Sequence, residues 1–348
     1  VTLHPGAWWL WGLLLAVAAS RTTNPLLLGL VIAVAGLVAV ACRTEAPWAD
    51  AYGVFLKLGL LIIALRVVFH VLLGGITGET VLFTLPEIPL PSWAKGIRLG
   101  GPVSAEGLLF ALYQGLQLAT LLGCIGAVNA LANPKRALRS MPAALYEVSV
   151  AVVVALTTAP QLVASAKAVR KARRLRGDGA RGWRALRTLL VPVLEDALDR
   201  SLALAAAMDS RGYGRTASVP AGTRRLTSAL VLAGLIGLCV GIYGLLDGQA
   251  SPYVTFGLLL AGAGLAIAGL RLGAKRVPRT RYRPDPWRWQ ESVVAGSGAI
   301  AAAATVFVSA SGGSGLVMSV VPIEVPTLPL IPALGVLVAL APIAVRTR

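Results

Sequence analysis

Residues 25–42 read PLLLGLVIAVAGLVAVAC, an uninterrupted apolar run without one charged side chain. As a helix rising 1.5 Å per residue it would cover about 27 Å, close to the ~30 Å hydrocarbon core of a bilayer. In water such a segment would need burial on every side, and the rest of the chain cannot supply it. Of 348 residues, 56% are hydrophobic and only 14% charged, with a mean hydropathy of +0.76. That is too little charge to clothe a soluble surface of this size, so lipid must face much of the protein.

Working outward, comparable stretches occur at Ala7–Ser20 (short), Tyr52–Leu73, Ala105–Leu131, Leu226–Leu246, Val254–Leu272, Ser292–Ala310 and Leu330–Val345. With Pro25–Cys42 they predict an all-α polytopic membrane protein of about eight transmembrane helices. Met141–Val163 is also apolar, but it carries Glu147 and Pro160 and runs directly into a basic helix. It reads as interfacial or packed beneath the bundle. Leu82–Leu99 contains three prolines and little helical periodicity, which predicts an extended external loop with Trp93 as an interfacial anchor.

The net charge of +17 is not spread evenly. Residues 132–225 hold 17 Lys/Arg against 6 Asp/Glu, and residues 271–291 hold 7 against 2. Eight spans with the N-terminus inside leave only Arg21, Lys95 and Arg98 in external loops, against 27 basic residues inside. The positive-inside rule then places both termini and both basic stretches in the cytoplasm. A ninth span at 141–163 would throw one basic block to the wrong face. The same mapping removes nucleic acid as a partner, because the larger basic stretch lacks interleaved stacking aromatics.

Other chemistry is excluded on similar grounds. Cys42, Cys124 and Cys239 sit in apolar stretches, and His4 and His70 are far apart in sequence, so neither a disulfide frame nor a metal site is expected. No H-E-x-x-H, carboxylate-rich or nucleophile–base motif occurs, so no catalytic residue is assigned. No G-x-x-x-x-G-K-[ST] loop is present, so ATP cannot be held by the usual phosphate cradle.

Between the fourth and fifth spans two helices stand out. The first covers about Gln161–Arg176 and stops at Gly177-Asp178-Gly179. Lys167, Arg170, Lys171 and Arg174 fall on one face of it, with Leu162, Ala166 and Val169 opposite. The second covers about Trp183–Arg211 and ends at Gly212-Tyr213-Gly214, with Pro192 as a kink. Leu190, Leu194, Leu198, Ala205 and Met208 supply its apolar face, with Glu195, Asp196 and Asp199 beside it. The two helices close alike, on Leu175-Arg176-Gly177 and Ser210-Arg211-Gly212. Arg beside a helix C-terminus complements the dipole and Gly caps it. A guanidinium fork there can equally hold a partner's carboxylate in bidentate fashion. A charged amphipathic helix pair in the cytosol favours a docking surface.

The run Glu195–Thr216, EDALDRSLALAAAMDSRGYGRT, together with the paired Arg-Gly ends, resembles the T component of energy-coupling factor (ECF) transporters, the EcfT/CbiQ family. That family's hallmark is a pair of Ala-Arg-Gly-like tripeptides ending two cytoplasmic coupling helices. Here the residue before each Arg departs from Ala, while both Arg-Gly pairs stand. The resemblance extends through Asn133-Pro134 and Pro160 to the N-terminal spans, over roughly residues 5–250, and says little about the last spans. It implies a multi-pass protein of a prokaryotic plasma membrane that needs no cofactor. Such a subunit holds a substrate-binding membrane subunit, the S component, and sits on two cytosolic ATPase subunits. It passes their ATP-driven motion on for uptake of a vitamin or metal ion. The resemblance assigns ATPase contact to Arg176, Gly177, Arg211 and Gly212, with Leu175, Ser210, Glu195 and Asp199 in support. Three regions follow: N-terminal spans at 1–140, a coupling module at 141–216 and C-terminal spans at 217–348. An independent permease or channel is the alternative, but it calls for polar residues around a midplane cavity and for internal repeats. The sequence displays neither.

Ionisable residues inside spans are functional candidates by default. Lys57 can snorkel from the third span, and His70 lies near that span's outer end. Arg66, near its middle, is expected to pair with Glu106 at the outer start of the fourth.

Overall fold

In a bilayer the backbone must satisfy its own hydrogen bonds, so the apolar stretches become helices. The computed structural model describes residues 3–42, 51–73, 78–88, 99–139, 146–177, 183–213, 220–247, 251–274 and 286–346. In chain order the elements are α1 (Pro5–Ser20), α2 (Pro25–Cys42), α3 (Ala51–Leu73), β1 (Val81–Ile88), β2 (Leu99–Ser104), α4 (Ala105–Leu131), α5 (Pro134–Arg139), α6 (Tyr146–Leu175), α7 (Trp183–Ser210), α8 (Ala221–Asp247), α9 (Pro252–Ala274), α10 (Trp289–Ala310), α11 (Leu330–Val338) and α12 (Ala341–Arg346). The protein is an all-α polytopic membrane protein, with one small β-hairpin among the described residues. Among the described residues seven helices are long and apolar enough to cross a membrane: α2, α3, α4, α6, α8, α9 and α10.

The chain divides into two compact units, residues 1–137 with 285–348, and residues 138–284. In the first, α1 packs on α4 and α10, α2 on α4, α11 and α12, and α3 lies along α4. Trp11, Leu15, Leu27, Leu28, Val31, Val34, Val38, Val128, Val294 and Val336 fill its core. The approach of α10 to α1 depends on Gly298, where a Cβ would sit 2.9 Å from the Trp11 Cα. At one end of this unit the α1–α2 turn is knitted to the 311–329 loop. Thr22 Oγ1 donates to the Leu316 carbonyl at 2.8 Å, and Asn24 Nδ2 to the Gly315 and Thr327 carbonyls at 2.7 and 2.6 Å. At another place in the unit the backbone N–H of His4, ahead of α1, donates to Glu291 Oε1 at the start of α10 at 3.2 Å. In the second unit α8 and α9 form a close hairpin, and α6 contacts α7.

Three local expectations change. The segment expected as an external loop contributes β1, paired antiparallel with β2 from Val81↔Ser104 to Ile88↔Leu99. Pro86 is tolerated because each strand has only one neighbour, and the register shifts between Leu85 and Ile88. Trp93 lies outside the described residues. The last span is not one helix but two, α11 and α12. Pro342 cannot donate to the Val338 carbonyl and its ring crowds that turn. The Ala339 carbonyl, released by the break, accepts from the buried Trp11 Nε1 at 3.1 Å. Finally, α6 starts at Tyr146 rather than near Gln161 and runs unbroken through Pro160. Thr157 and Thr158 donate their hydroxyls to carbonyls of the preceding turn, at Val153, Val154 and Ala155. Back-bonding of this kind bends a helix without ending it, so the run continues through the proline.

Candidate functional site

The site is built from α6 and α7, which cross where Ser165 meets Asp196. The Ser165 hydroxyl and the Arg200 guanidinium both bond the Asp196 carboxylate, the latter through Nε at 2.9 Å. Together they hold that carboxyl below its ordinary range, the Ser165 bond contributing most. Glu195 and Asp199 are the acids expected in support, with Asp196 beside them. Among the described residues Glu195 and Asp199 are exposed and make no hydrogen bond or ion pair. The available signal was the Asp196–Arg200 spacing of four, which brings the two together on a helix face.

Beyond the crossing the two helices end in the same way. Gly177 and Gly212 both adopt left-handed backbone, with φ of 73° and 72°. The Gly177 N–H donates to the Arg174 carbonyl at 3.2 Å and the Gly212 N–H to the Asp209 carbonyl at 2.9 Å. At the second end the Tyr213 N–H also reaches the Met208 carbonyl at 3.0 Å, completing a Schellman cap. Arg176 and Arg211 therefore hold equivalent positions, each the last residue before a left-handed glycine. Both are exposed, and among the described residues neither guanidinium has a hydrogen-bond or ion-pair partner.

The surroundings of these tips are also bare. Leu175 is 80% exposed, and Ser210 turns its hydroxyl back to the Ala207 carbonyl at 3.0 Å. Leu190, Leu194, Leu198 and Leu202 form an uncovered apolar stripe along α7, Leu202 at 68% exposure. On α6, Lys167, Arg170, Lys171 and Arg174 are exposed together.

Arg176 lies eleven residues past Ser165 and Arg211 fifteen past Asp196, arms of about 16 and 22 Å. Trp183 lies seven residues past Arg176, so the start of α7 lies within about 25 Å of the end of α6. The end of α7 is thereby turned away. With extended chain limited to about 3.5 Å per residue, the two arginines stand roughly 30 Å or more apart. One small partner surface cannot cover both.

The intramembrane charges are arranged differently from the expected pair. Arg66 does not meet Glu106. Its Nη2 donates to Gln114 Oε1 on α4 at 2.7 Å. Glu106 sits about two turns away at the start of α4, where it accepts from the Thr80 backbone N–H at 3.1 Å and from the Thr80 hydroxyl. Local donors at the helix start thus win over a distant guanidinium. Among the described residues no group of three or more His, Cys, Asp or Glu lies close enough to hold a metal ion.

The family profile of the cobalt transport proteins (CbiQ) matches residues 2–220, well over half of the chain. This protein belongs to the CbiQ family. No individual curated protein matches it. Both Arg-Gly ends of this CbiQ chain fall inside the matched stretch, together with α1–α7. The match stops before α8, so the α8–α9 hairpin and α10–α12 lie beyond it. Membership makes the chain a membrane transport protein associated with cobalt uptake.

Proposed function

We propose that this CbiQ-family chain is the coupling subunit of an ECF-type importer. It would carry ATP-driven motion from two cytosolic ATPase subunits to a membrane-embedded S component. The observation that supports this most is the pair of equivalent helix ends: Arg176 and Arg211 at matching cap positions, exposed, without a partner among the described residues, and separated by roughly 30 Å. Two separated tips suit two ATPase subunits, one on each. The exposed leucines of α7 supply the apolar contact around a charged anchor. The Ser165–Asp196 bond links α6 to α7, as a force-transmitting helix pair requires. The chain sits in the plasma membrane of a prokaryote with the helix pair and both termini in the cytoplasm. Cargo, a vitamin or a metal ion such as the cobalt of the family's name, is selected by the S component.

Each arginine contact, once desolvated in an interface, contributes a few kcal/mol. Arg176→Glu and Arg211→Glu are each expected to lower ATPase co-purification by more than about ten-fold and to abolish uptake. Chain abundance in the membrane should stay unchanged. Normal uptake by both variants would refute the assignment.

A further inference from the structure

The α3–α4 face carries a permanent positive charge that finds no counter-ion among the described residues. Arg66 is exposed on α3, and its partner Gln114 is a neutral amide. Among the described residues no carboxylate pairs with it. The position is deep. Arg66 lies seven residues from the Leu73 end of α3, and Gln114 nine residues from the Ala105 start of α4, about 10 and 14 Å along the helix axes. Against a hydrocarbon core of ~30 Å, the guanidinium stands about a third of the way in.

Snorkelling does not relieve it. Helical side chains lean toward their own N-terminus, which for α3 is the far end of the span. The bond to Gln114 holds the group at that depth. His70, one turn along the same face, is half-buried and finds no hydrogen-bond partner among the described residues. The exposed side chains on the same helix faces as the pair are apolar: Leu65 and Phe69 on α3 and Leu118 on α4. A bare guanidinium facing acyl chains is costly. A cation ringed by apolar side chains is instead how an interface anchor is built.

We infer that this face binds a second membrane-embedded protein, whose transmembrane helix presents an Asp or Glu carboxylate to Arg66 at matching depth. The inference deepens the reading above and rests on it for the partner's identity, the S component. Arg66 would then be the intramembrane contact for that subunit, separate from the cytosolic tips that meet the ATPases.

The test uses the whole assembly, this chain co-expressed with its ATPase and S subunits and kept in lipid. A benzoylphenylalanine at Leu65 is expected to cross-link to an S-component span within one turn of an Asp or Glu. Arg66→Gln should lower S-component recovery about ten-fold or more, while Arg66→Lys retains most of it. Arg66→Glu should be rescued by exchanging that acid for Arg. ATPase recovery should be the same in all of these variants. A Gly59→Cys, Ala119→Cys pair reports on folding, since a Cβ at Gly59 would lie 3.1 Å from the Ala119 Cβ. That disulfide should still form in Arg66→Gln; its loss there would assign Arg66 to α3–α4 packing and overturn the proposal. An adduct to phospholipid alone, or unchanged S-component recovery in Arg66→Gln, would overturn it too. Missing ATPases in the unsubstituted assembly, with the cross-link intact, would strike the coupling role and leave the Arg66 contact standing.

Discussion

Gly177 and Gly212 hold φ near +70°, a region that costs other L-residues about 1–2 kcal/mol. Gly212→Ala is therefore expected to loosen the last turn of α7 by about that amount, and Gly212→Asn by less. Amide exchange over Met208–Tyr213 reads the difference; equal exchange in all three proteins would show that the cap does not hold this end. At the crossing, the depressed Asp196 carboxyl means the folded chain prefers its charged form. Its stabilising contribution is fully present above the ordinary Asp range and is lost as pH falls through the lowered value. Spin-label distances between α6 and α7 should hold constant at neutral pH and broaden only in acid, and Asp196→Asn should be broad throughout. Acid-insensitive distances in the native chain would remove the clasp. Trp11 makes a different kind of contact: Trp11→Phe leaves the Ala339 carbonyl without its buried donor, at about 1–3 kcal/mol. A thermal melt in detergent should register that loss.

At the scale of elements, long apolar stretches were legible because a spanning helix needs only length and apolarity, as in α2, α4 and α10. Elements whose ends are set by tertiary satisfaction were not. Pro342 breaks α11 from α12, and the carbonyl this frees at Ala339 is satisfied by Trp11, more than three hundred residues earlier in the chain. Periodicity starts the basic helix at about Gln161, yet α6 begins at Tyr146 and passes through Pro160, with two threonines bonding the preceding turn. The paired Arg-Gly ends were readable because capping is local chemistry. The Ser165–Asp196 crossing was not, since it joins two helices whose registry no local pattern encodes. Helix proximity also escapes composition. In the α8–α9 hairpin a Cβ at Gly262 would sit 2.7 Å from the Leu238 backbone nitrogen, so the backbones nearly touch. Gly262→Leu should force them apart at about 1–3 kcal/mol. Amide exchange along α8 and α9 should quicken accordingly; unchanged exchange would mean that the hairpin has slack.

For the whole molecule the open question is whether α6 crosses the membrane, since its length and apolarity permit it. Two sets of contacts within the first unit constrain the answer. The α1–α2 turn bonds the 311–329 loop, and His4 bonds Glu291. With α1, α2, α3 and α4 each crossing, the chain returns after α4 to the side of its N-terminus. It must be on that side again at Glu291. An even number of crossings therefore lies between α4 and α10, and α8 with α9 supplies two. A crossing by α6 would demand a fourth from α7, which carries Glu195, Asp196, Asp199 and Arg200 at mid-helix. Four ionisable groups there are too costly to thread through hydrocarbon. The basic residues on either side of α6 argue the same way, since a crossing would export one block. In a chain with Cys239 replaced by Ser, because it is exposed while Cys42 and Cys124 are buried, three single cysteines decide the matter. Asp178→Cys and Thr280→Cys are expected to react with an impermeant maleimide only from the cytosolic side, and Ser311→Cys only from outside. Labelling of Asp178→Cys from outside would send both α6 and α7 through the bilayer and remove Arg176 from any reach of a cytosolic partner.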